Sequence, residues 1–207
     1  MPFLSGYLTR ARLSRIQRYL GKRVLDVGCG YGELLEFLSP EVESVVLLDR
    51  SPERRDRLQT RIAKARISAE FVLGDIEKSN TNLIAGSFDT VVMAALLEHL
   101  KSPTVALATI HKLLRGNGRL LITTPTPLGC RPHGVGSHLG LTHPEAAQEH
   151  EQFYDFDSLE RMTKDAGFTL EHYERFLLGL NQLVVAGKKS SERPAGIGSS
   201  PFWGGKV

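Results

Sequence analysis

The chain has few of the features that mark secreted, membrane-spanning or disulfide-built proteins. Its 207 residues include only two cysteines, Cys29 and Cys130, so no disulfide framework is predicted. The longest apolar run, 91–97, is far shorter than the ~20 residues of a membrane-spanning helix, and the N-terminus lacks a signal-peptide core. A net charge of +3 does not by itself indicate a polyanionic partner. We therefore expect one cytoplasmic domain without a transmembrane segment.

One short stretch organises the rest of the chain. Residues 24–27 form a predicted buried strand that contains an acid, Asp26. Glycines follow it at every second position: Gly28, Gly30 and Gly32. Apolar residues at helical spacing come next: Leu34, Leu35, Phe37 and Leu38. A strand, a glycine turn and a helix begin a nucleotide-binding βα unit, in which the glycines let a ligand approach the main chain and the helix start favours an anion.

The glycine spacing does not fit a dinucleotide fingerprint, because the third glycine arrives one residue early and Glu33 stands in its place. A glutamate there would also repel a pyrophosphate. The string Asp26-Val-Gly-Cys-Gly-Tyr-Gly instead resembles motif I of the class I S-adenosylmethionine-dependent methyltransferases. That resemblance implies S-adenosyl-L-methionine as the cofactor. It also implies cofactor contacts along the string: Asp26, Gly28, Cys29, Gly30 and Gly32.

Further candidate cofactor residues follow the next predicted strands. Asp49 ends the strand 42–48, about 20 residues after the glycine turn, where a Rossmann-like fold places the acid that binds ribose. Arg50, the next residue, could pair with a 2′-phosphate, so a cofactor that carries this group stays an alternative. By resemblance to the family, Asp75 after the third strand accepts the adenine amino group, and Ile76 packs on the ring. Met93, at the end of the fourth motif, completes the predicted set.

The resemblance covers residues 22–187 and implies a fold. It is an α/β Rossmann-like, doubly wound sheet of about seven strands, mostly parallel with the last strand antiparallel. Residues 1–21 are predicted to form a covering helix. The first 23 residues hold basic side chains and no acid, so a basic lip over the cofactor cleft or a nucleic-acid contact is an alternative. The Gly-, Ser- and Pro-rich tail, 188–207, is expected to be disordered.

The segment 125–156 follows the fifth strand and has little periodicity, with early prolines and four histidines. Because ligands bind at the carboxyl edge of such sheets, we interpret it as a substrate lid. Histidine is the side chain most easily tuned to act as a base near neutral pH. The candidate bases are His150, His99 and His138. Their spacing does not match a metal site, so no metal is expected.

Two observations limit the choice of methyl acceptor: one family motif is absent from this chain, and another is present. Methyltransferases of exocyclic amines and amides usually carry Asn/Asp-Pro-Pro-aromatic after the fourth strand, where this chain has Met93-Ala94-Ala95-Leu96. The string at 97–100, Leu-Glu-His-Leu, resembles the small-molecule branch, including ubiquinone-pathway O-methyltransferases. We therefore expect a methyltransferase acting on a small molecule, lipid precursor or glycan, at oxygen. Two alternatives stay open: an RNA or protein methyltransferase, suggested by the arginine-rich segments, and a non-catalytic cofactor-binding subunit.

Overall fold

The structure, a computed structural model, describes residues 2–78, 81–130 and 152–188. Its centre is one seven-stranded sheet in the order β3-β2-β1-β4-β5-β7-β6. The strands are β1 Arg23–Val27, β2 Ser44–Asp49, β3 Ser68–Leu73, β4 Phe88–Ala94, β5 Leu114–Pro125, β6 Phe168–Phe176 and β7 Asn181–Lys188. The five strands β3, β2, β1, β4 and β5 pair in parallel with one another in this order. Strand β7 pairs antiparallel with both β5 and β6. This confirms the predicted fold.

Helices cover both faces of the sheet. They are α1 Pro2–Ile16, α2 Arg55–Ile62, α3 Pro103–Leu113 and α4 Phe156–Asp165. Successive residues of β1 point to opposite faces, as in any strand: Val24 packs with Leu13 and Ile16 of α1, and Leu25 packs in the cluster that holds α3 and α4. Among the described helices, none is long and apolar enough to cross a membrane.

The prediction of a helix after the glycine turn is wrong. The chain makes only a short 3-10 turn there, Glu33–Glu36. Gly32 enters this turn in the left-handed region, with φ of 77°, and Phe37 leaves it with φ of −120°. Pro40 then follows, and proline disfavours helical backbone in the residue before it. A four-residue turn has little dipole, so an anion-binding helix start does not form at this point.

The segments that the sequence assigns to acceptor binding and to the tail are only partly described. The predicted lid begins with the end of β5 and a 3-10 turn, Pro127–Cys130, and its residues 131–151 lie outside the described part. The predicted tail lies outside it from residue 189 onward. The lid and the tail therefore stay predictions.

Candidate cofactor site

Two cavities open at the carboxyl ends of the parallel strands, the edge where open α/β sheets bind ligands. The larger has a volume of about 440 Å³ and the smaller about 200 Å³. Gly28 and Ala95, at the ends of the neighbouring strands β1 and β4, line both cavities. Ala95 has a φ of 53°, unusual for a residue with a side chain, and its N–H donates to Thr123 O at 2.8 Å. The two cavities thus share a common floor at the centre of the sheet.

The glycine turn is held over the end of β2 by main-chain hydrogen bonds. Gly28 N and Cys29 N both donate to Leu48 O, at 2.8 and 3.2 Å. Gly28 has a φ of 67°, and a Cβ there would lie 2.7 Å from Leu96 Cδ1. The backbone angle therefore favours glycine at position 28, and a larger residue would also displace the Leu96 side chain.

The Asp49 carboxylate ties the glycine turn to the second strand. It is buried, and its Oδ2 accepts from Gly30 N at 3.0 Å while its Oδ1 accepts from Ser51 N at 3.0 Å. Arg54 Nη1 also donates to Oδ2, at 3.3 Å. A carboxylate has about four lone-pair sites, so three donors leave room for a further donor from the larger cavity, which Asp49 lines. Arg54, the last residue of the 3-10 turn Pro52–Arg54, is not among the site residues predicted from the sequence.

The larger cavity combines acids with an apolar wall. Asp75 follows β3, and its Oδ1 accepts from Glu77 N at 3.0 Å, which fixes the carboxylate at the cavity edge. Ile76 is buried beside it. Arg50 and His99 line the same cavity.

The smaller cavity is lined by acids and by one arginine of α1. Burial raises the pKa of Asp26 to about 8, and the charges of Glu33 and Asp49 add to this effect. Burial also raises the pKa of the neighbouring Cys29 thiol, so that it stays protonated. Arg12 lines the cavity opposite, and its Nε donates to Asn181 Oδ1 at 3.0 Å. Helix α1 therefore contributes a positive charge to the site as well as covering the sheet.

The structure brings most of the predicted residues together. Those lining the smaller cavity are Asp26, Gly28, Cys29 and Gly30, and those lining the larger are Gly28, Asp49, Arg50, Asp75, Ile76 and His99. Gly32 and Met93 line neither. A Cβ on Gly32 would lie 2.8 Å from Leu58 Cδ2, so this glycine is where α2 packs, and Met93 is fully buried in the core. His138 and His150 lie outside the described residues.

A buried acid beside the site was not assigned from the sequence. Glu98 is in the 3-10 turn Leu97–His99, and Thr124 Oγ1 donates to its Oε2 at 3.0 Å. Burial raises the pKa of Glu98, an effect partly offset by His99, by the Thr124 hydroxyl and by Arg12. Burial and the Glu98 charge together raise the pKa of Tyr154. The only signal in the sequence was the Leu-Glu-His-Leu string, which marks the turn and not the role of its acid.

Comparison with known proteins identifies the family of this chain. The family described as "Methyltransferase domain" matches residues 5–173. The chain is 29% identical over 154 residues to a protein named ubiquinone biosynthesis O-methyltransferase from Xanthomonas euvesicatoria pv. vesicatoria, covering 73% of this chain and 64% of that protein. It is 28% identical over 123 residues to the protein of the same name from Pectobacterium atrosepticum, covering 59% and 49%. The chain thus spans less than two thirds of the length of these relatives.

Solved structures share the fold. A structure titled S-adenosylmethionine dependent methyltransferase from Mesorhizobium loti matches with a TM-score of 0.67 at 19% identity, over 89% of this chain and 100% of that chain. The [4+2]-cyclase SpnF matches with a TM-score of 0.70 at 14% identity, over 86% and 80%. At such low identity these likenesses show the fold alone, and the two proteins are named for different reactions. With the family match, the fold and the glycine turn taken together, the chain belongs to the class I S-adenosylmethionine-dependent methyltransferase family, whose cofactor is S-adenosyl-L-methionine.

Proposed function

We propose that the protein transfers the methyl group of S-adenosylmethionine to an oxygen atom of a small organic acceptor. The observation that carries the proposal is the pair of cavities that share Gly28 and Ala95. The cofactor has a nucleoside half and an amino-acid half, joined at the sulfonium. Two cavities that meet over the glycine turn could each hold one of these halves.

The larger cavity suits the nucleoside half. Asp49 offers carboxylate lone pairs for the ribose hydroxyls, which are donors, and Asp75 offers them for the exocyclic amine of adenine. Ile76 supplies an apolar surface for the ring. The smaller cavity suits a zwitterion, since Arg12 is placed to bind a carboxylate and Glu33 favours an ammonium group. A bound ammonium group would also lower the pKa of Asp26 and so favour its ionised form.

The cofactor supplies an already activated methyl group, so the protein mainly has to align the acceptor with it. Holding two reacting groups in line can contribute on the order of 7–11 kcal/mol. A hydroxyl acceptor must also lose a proton. Of the three histidines suggested as a base, His99 is the one in the described part, and it lines the larger cavity. We infer that His99 is the first residue to test for this role.

The names of the relatives support oxygen as the methylated atom and a small molecule or lipid precursor as the acceptor. Nothing specific favours RNA or protein instead. In the arginine-rich helix α2 and the turn before it, Arg54 binds Asp49, and Arg61 pairs with Glu36 at 3.0 Å. A steep loss of acceptor binding with salt would nonetheless indicate RNA.

The test is calorimetric titration of S-adenosylmethionine into wild type, Asp49→Asn and a control, Asp165→Asn. Asp165 is an exposed carboxylate at the end of α4, remote from both cavities. We expect binding on the order of micromolar for wild type and the control, and at least about tenfold weaker binding for Asp49→Asn, the loss of one charge-assisted hydrogen bond. Absence of binding by wild type would refute the proposal, and NAD(H) would be the next ligand to titrate.

A second measurement separates the enzyme from a non-catalytic subunit. Cofactor with a radiolabelled methyl group is incubated with the protein and fractionated cell extract, and the label is followed into organic-soluble, nucleic-acid and protein fractions. We expect label in small organic molecules. Tight cofactor binding with transfer into none of the fractions would indicate a regulatory subunit instead.

A further inference from the structure

The turn between β6 and β7 carries two exposed leucines. Leu178 is 98% exposed and Leu180 is 39% exposed. Leu128, in the 3-10 turn after β5, is 55% exposed. These three residues, called here the leucine tip, are large apolar side chains that the core of the described part does not use.

The leucine tip is one continuous surface. Thr126 N donates to Leu180 O at 3.0 Å, and Thr126 Oγ1 donates to Gly179 O at 2.6 Å. These bonds dock the turn that follows β5 against the turn between β6 and β7. A Cβ on Gly179 would lie 3.9 Å from Leu128 Cδ2, so the Leu128 side chain reaches over that turn.

The backbone of the tip is costly for leucine. Leu177 and Leu178 both have left-handed angles, with φ of 53° and 56°. Hairpin turns with such angles usually carry asparagine, aspartate or glycine, because a larger side chain is strained there. A leucine that is strained and almost wholly exposed gains nothing from folding. The position is therefore better explained by contact with an apolar partner.

Arginines of α1 and of the 3-10 turn after it lie beside the base of the tip. Arg12 Nε donates to Asn181 Oδ1, at the first residue of β7, and the Arg15 guanidinium lies 4.4 Å from the ring centre of Phe176, at the last residue of β6. Arg18 lies in the 3-10 turn Gln17–Tyr19 that follows α1 and, like Arg15, pairs with Glu174. Arg15 and Arg18, called here the arginine collar, outnumber this acid.

We propose that the leucine tip inserts into the surface of an anionic lipid bilayer while the arginine collar contacts the headgroups. Apolar side chains at the tip of a protein with basic residues behind them are the pattern of interfacial membrane binding. A stable protein partner would bury about 800 Å² on each side, far more than three leucine side chains offer. A bilayer needs no such area.

The tip lies at the edge of the sheet that holds the cavities. Asn181 pairs with Pro125 at the end of β5, and Arg12 lines the smaller cavity. Membrane binding through the tip would bring this edge close to the bilayer surface, so that an acceptor dissolved in the membrane is reached from there. This consequence for the acceptor rests on the proposed function; the membrane contact itself does not.

The experiment is sedimentation with vesicles of phosphatidylcholine alone and of phosphatidylcholine with phosphatidylglycerol in equal parts. Wild type is compared with Leu178→Asn and with Ile84→Asn. Asparagine tolerates left-handed angles, so Leu178→Asn should keep the fold. Ile84 is a matched control, because it is 75% exposed in the loop before β4 and lines neither cavity.

We expect wild type and Ile84→Asn to bind the anionic vesicles, and binding to fall on the order of tenfold in Leu178→Asn and in wild type on neutral vesicles. No binding by wild type, equal binding to both vesicles, or equal binding by Leu178→Asn would each overturn the proposal. So would a dimer of wild type that Leu178→Asn converts to a monomer without any change in vesicle binding, which would assign the tip to a second copy of the chain.

Cofactor titration of the same samples keeps the two proposals distinct. Leu178→Asn should bind S-adenosylmethionine like wild type, since Leu178 lines neither cavity. Vesicle binding without cofactor binding would leave the membrane contact standing and refute the proposed function. Cofactor binding without vesicle binding would refute the membrane contact and leave the proposed function standing.

Discussion

The two sides of the ligand-binding edge are held together in different ways. At the ends of β1 to β3, which we call the cofactor side, carboxylates accept from main-chain N–H groups of their own loops. Asp49 accepts from Ser51 N at 3.0 Å, and Asp75 accepts from Glu77 N at 3.0 Å. At the ends of β4, β5 and β7, the acceptor side, groups from distant parts of the chain bind one another. Thr124 donates to Glu98, and Gln182 Nε2 donates to Tyr154 O at 2.7 Å.

This difference has a consequence for substitutions. A carboxylate of the cofactor side shapes a loop that lies against the ligand, so its loss should change ligand affinity more than folding. A polar group of the acceptor side links two elements of the fold and is buried, so its loss should destabilise the protein and leave cofactor affinity nearly unchanged. Asp26, a buried carboxylate inside β1, and Gly28 in the turn should each affect both stability and affinity, and the two threonines at the end of β5 test the division directly.

The largest expected effect is a change in the pH dependence of stability in Asp26→Asn. The folded-state pKa of Asp26, about 8, lies above its ordinary value of 3.8 because the carboxylate is buried beside Glu33 and Asp49. The folded state therefore favours the protonated acid. Its contribution is fully present below pH about 4 and is lost as the pH rises through about 8, at up to about 1.4 kcal/mol per pH unit.

Urea unfolding of wild type and Asp26→Asn between pH 4 and pH 9 measures this contribution. The variant should be the more stable protein at pH 7 and above, and its advantage should shrink towards pH 4. Its affinity for S-adenosylmethionine should fall, as expected for a residue retained for binding at a cost in stability. A difference in unfolding free energy that is the same at every pH would contradict the raised pKa. Asp165→Asn serves as the exposed control.

A smaller effect is expected from Gly28→Ala, for which Gly86→Ala is a closely matched control. Both glycines have a φ of 67°, but a Cβ on Gly86 would have nothing within 4 Å, whereas one on Gly28 would lie 2.7 Å from Leu96 Cδ1. Gly86→Ala thus measures the backbone strain alone, about 1–2 kcal/mol. Gly28→Ala should cost about 1–3 kcal/mol more in unfolding free energy, because Leu96 must move.

Cofactor titration of the same two variants tests the assignment of the turn. Gly28 lines both cavities and Gly86 lines neither. Gly28→Ala should therefore lose S-adenosylmethionine binding, and Gly86→Ala should keep it. If both variants bound the cofactor as wild type does, the glycine turn would not be the centre of the site.

The cofactor side could be predicted from the sequence because its contacts are local or regularly spaced. Asp75 and Glu77 are two residues apart, and Gly30 N reaches Asp49 across the connection from β1 to β2, 19 residues away. Strand, turn and acid recur at fixed distances along the chain, so the pattern can be read without the fold. Two of the predicted residues lie outside both cavities because of packing. Gly32 is a contact for Leu58, and Met93 points into the core.

The acceptor side could not be predicted in the same way. Arg12 and Asn181 are 169 residues apart, and Thr124 and Glu98 are 26 apart. Nothing in the sequence near either residue names its partner, because the pairing depends on the order of the strands in the sheet. The short turn at Glu33–Glu36 was missed for a different reason: apolar residues at helical spacing do not show that Gly32 and Pro40 confine the segment between them.

The smallest expected effect separates two adjacent threonines at the end of β5. Both are fully buried, but Thr124 Oγ1 donates to Glu98 whereas Thr123 Oγ1 has no hydrogen-bond partner within the described ranges. Thr124→Val should lower the unfolding free energy by about 1–2 kcal/mol, because it leaves the buried Glu98 carboxyl short of a donor. Thr123→Val, of nearly the same shape, should be neutral or stabilising by up to about 1 kcal/mol, because it removes an unsatisfied hydroxyl.

Denaturant unfolding and cofactor titration of this pair test the division between the two sides directly. Thr124 cross-links β5 to the turn at Leu97–His99 and lines neither cavity, so Thr124→Val should bind S-adenosylmethionine within about twofold of wild type. Destabilisation of both variants by the same amount would mean that the bond to Glu98 contributes nothing. Affinity lost in Thr124→Val as severely as in Asp49→Asn would mean that the buried Glu98 network positions the cofactor, and that the two sides act as one site.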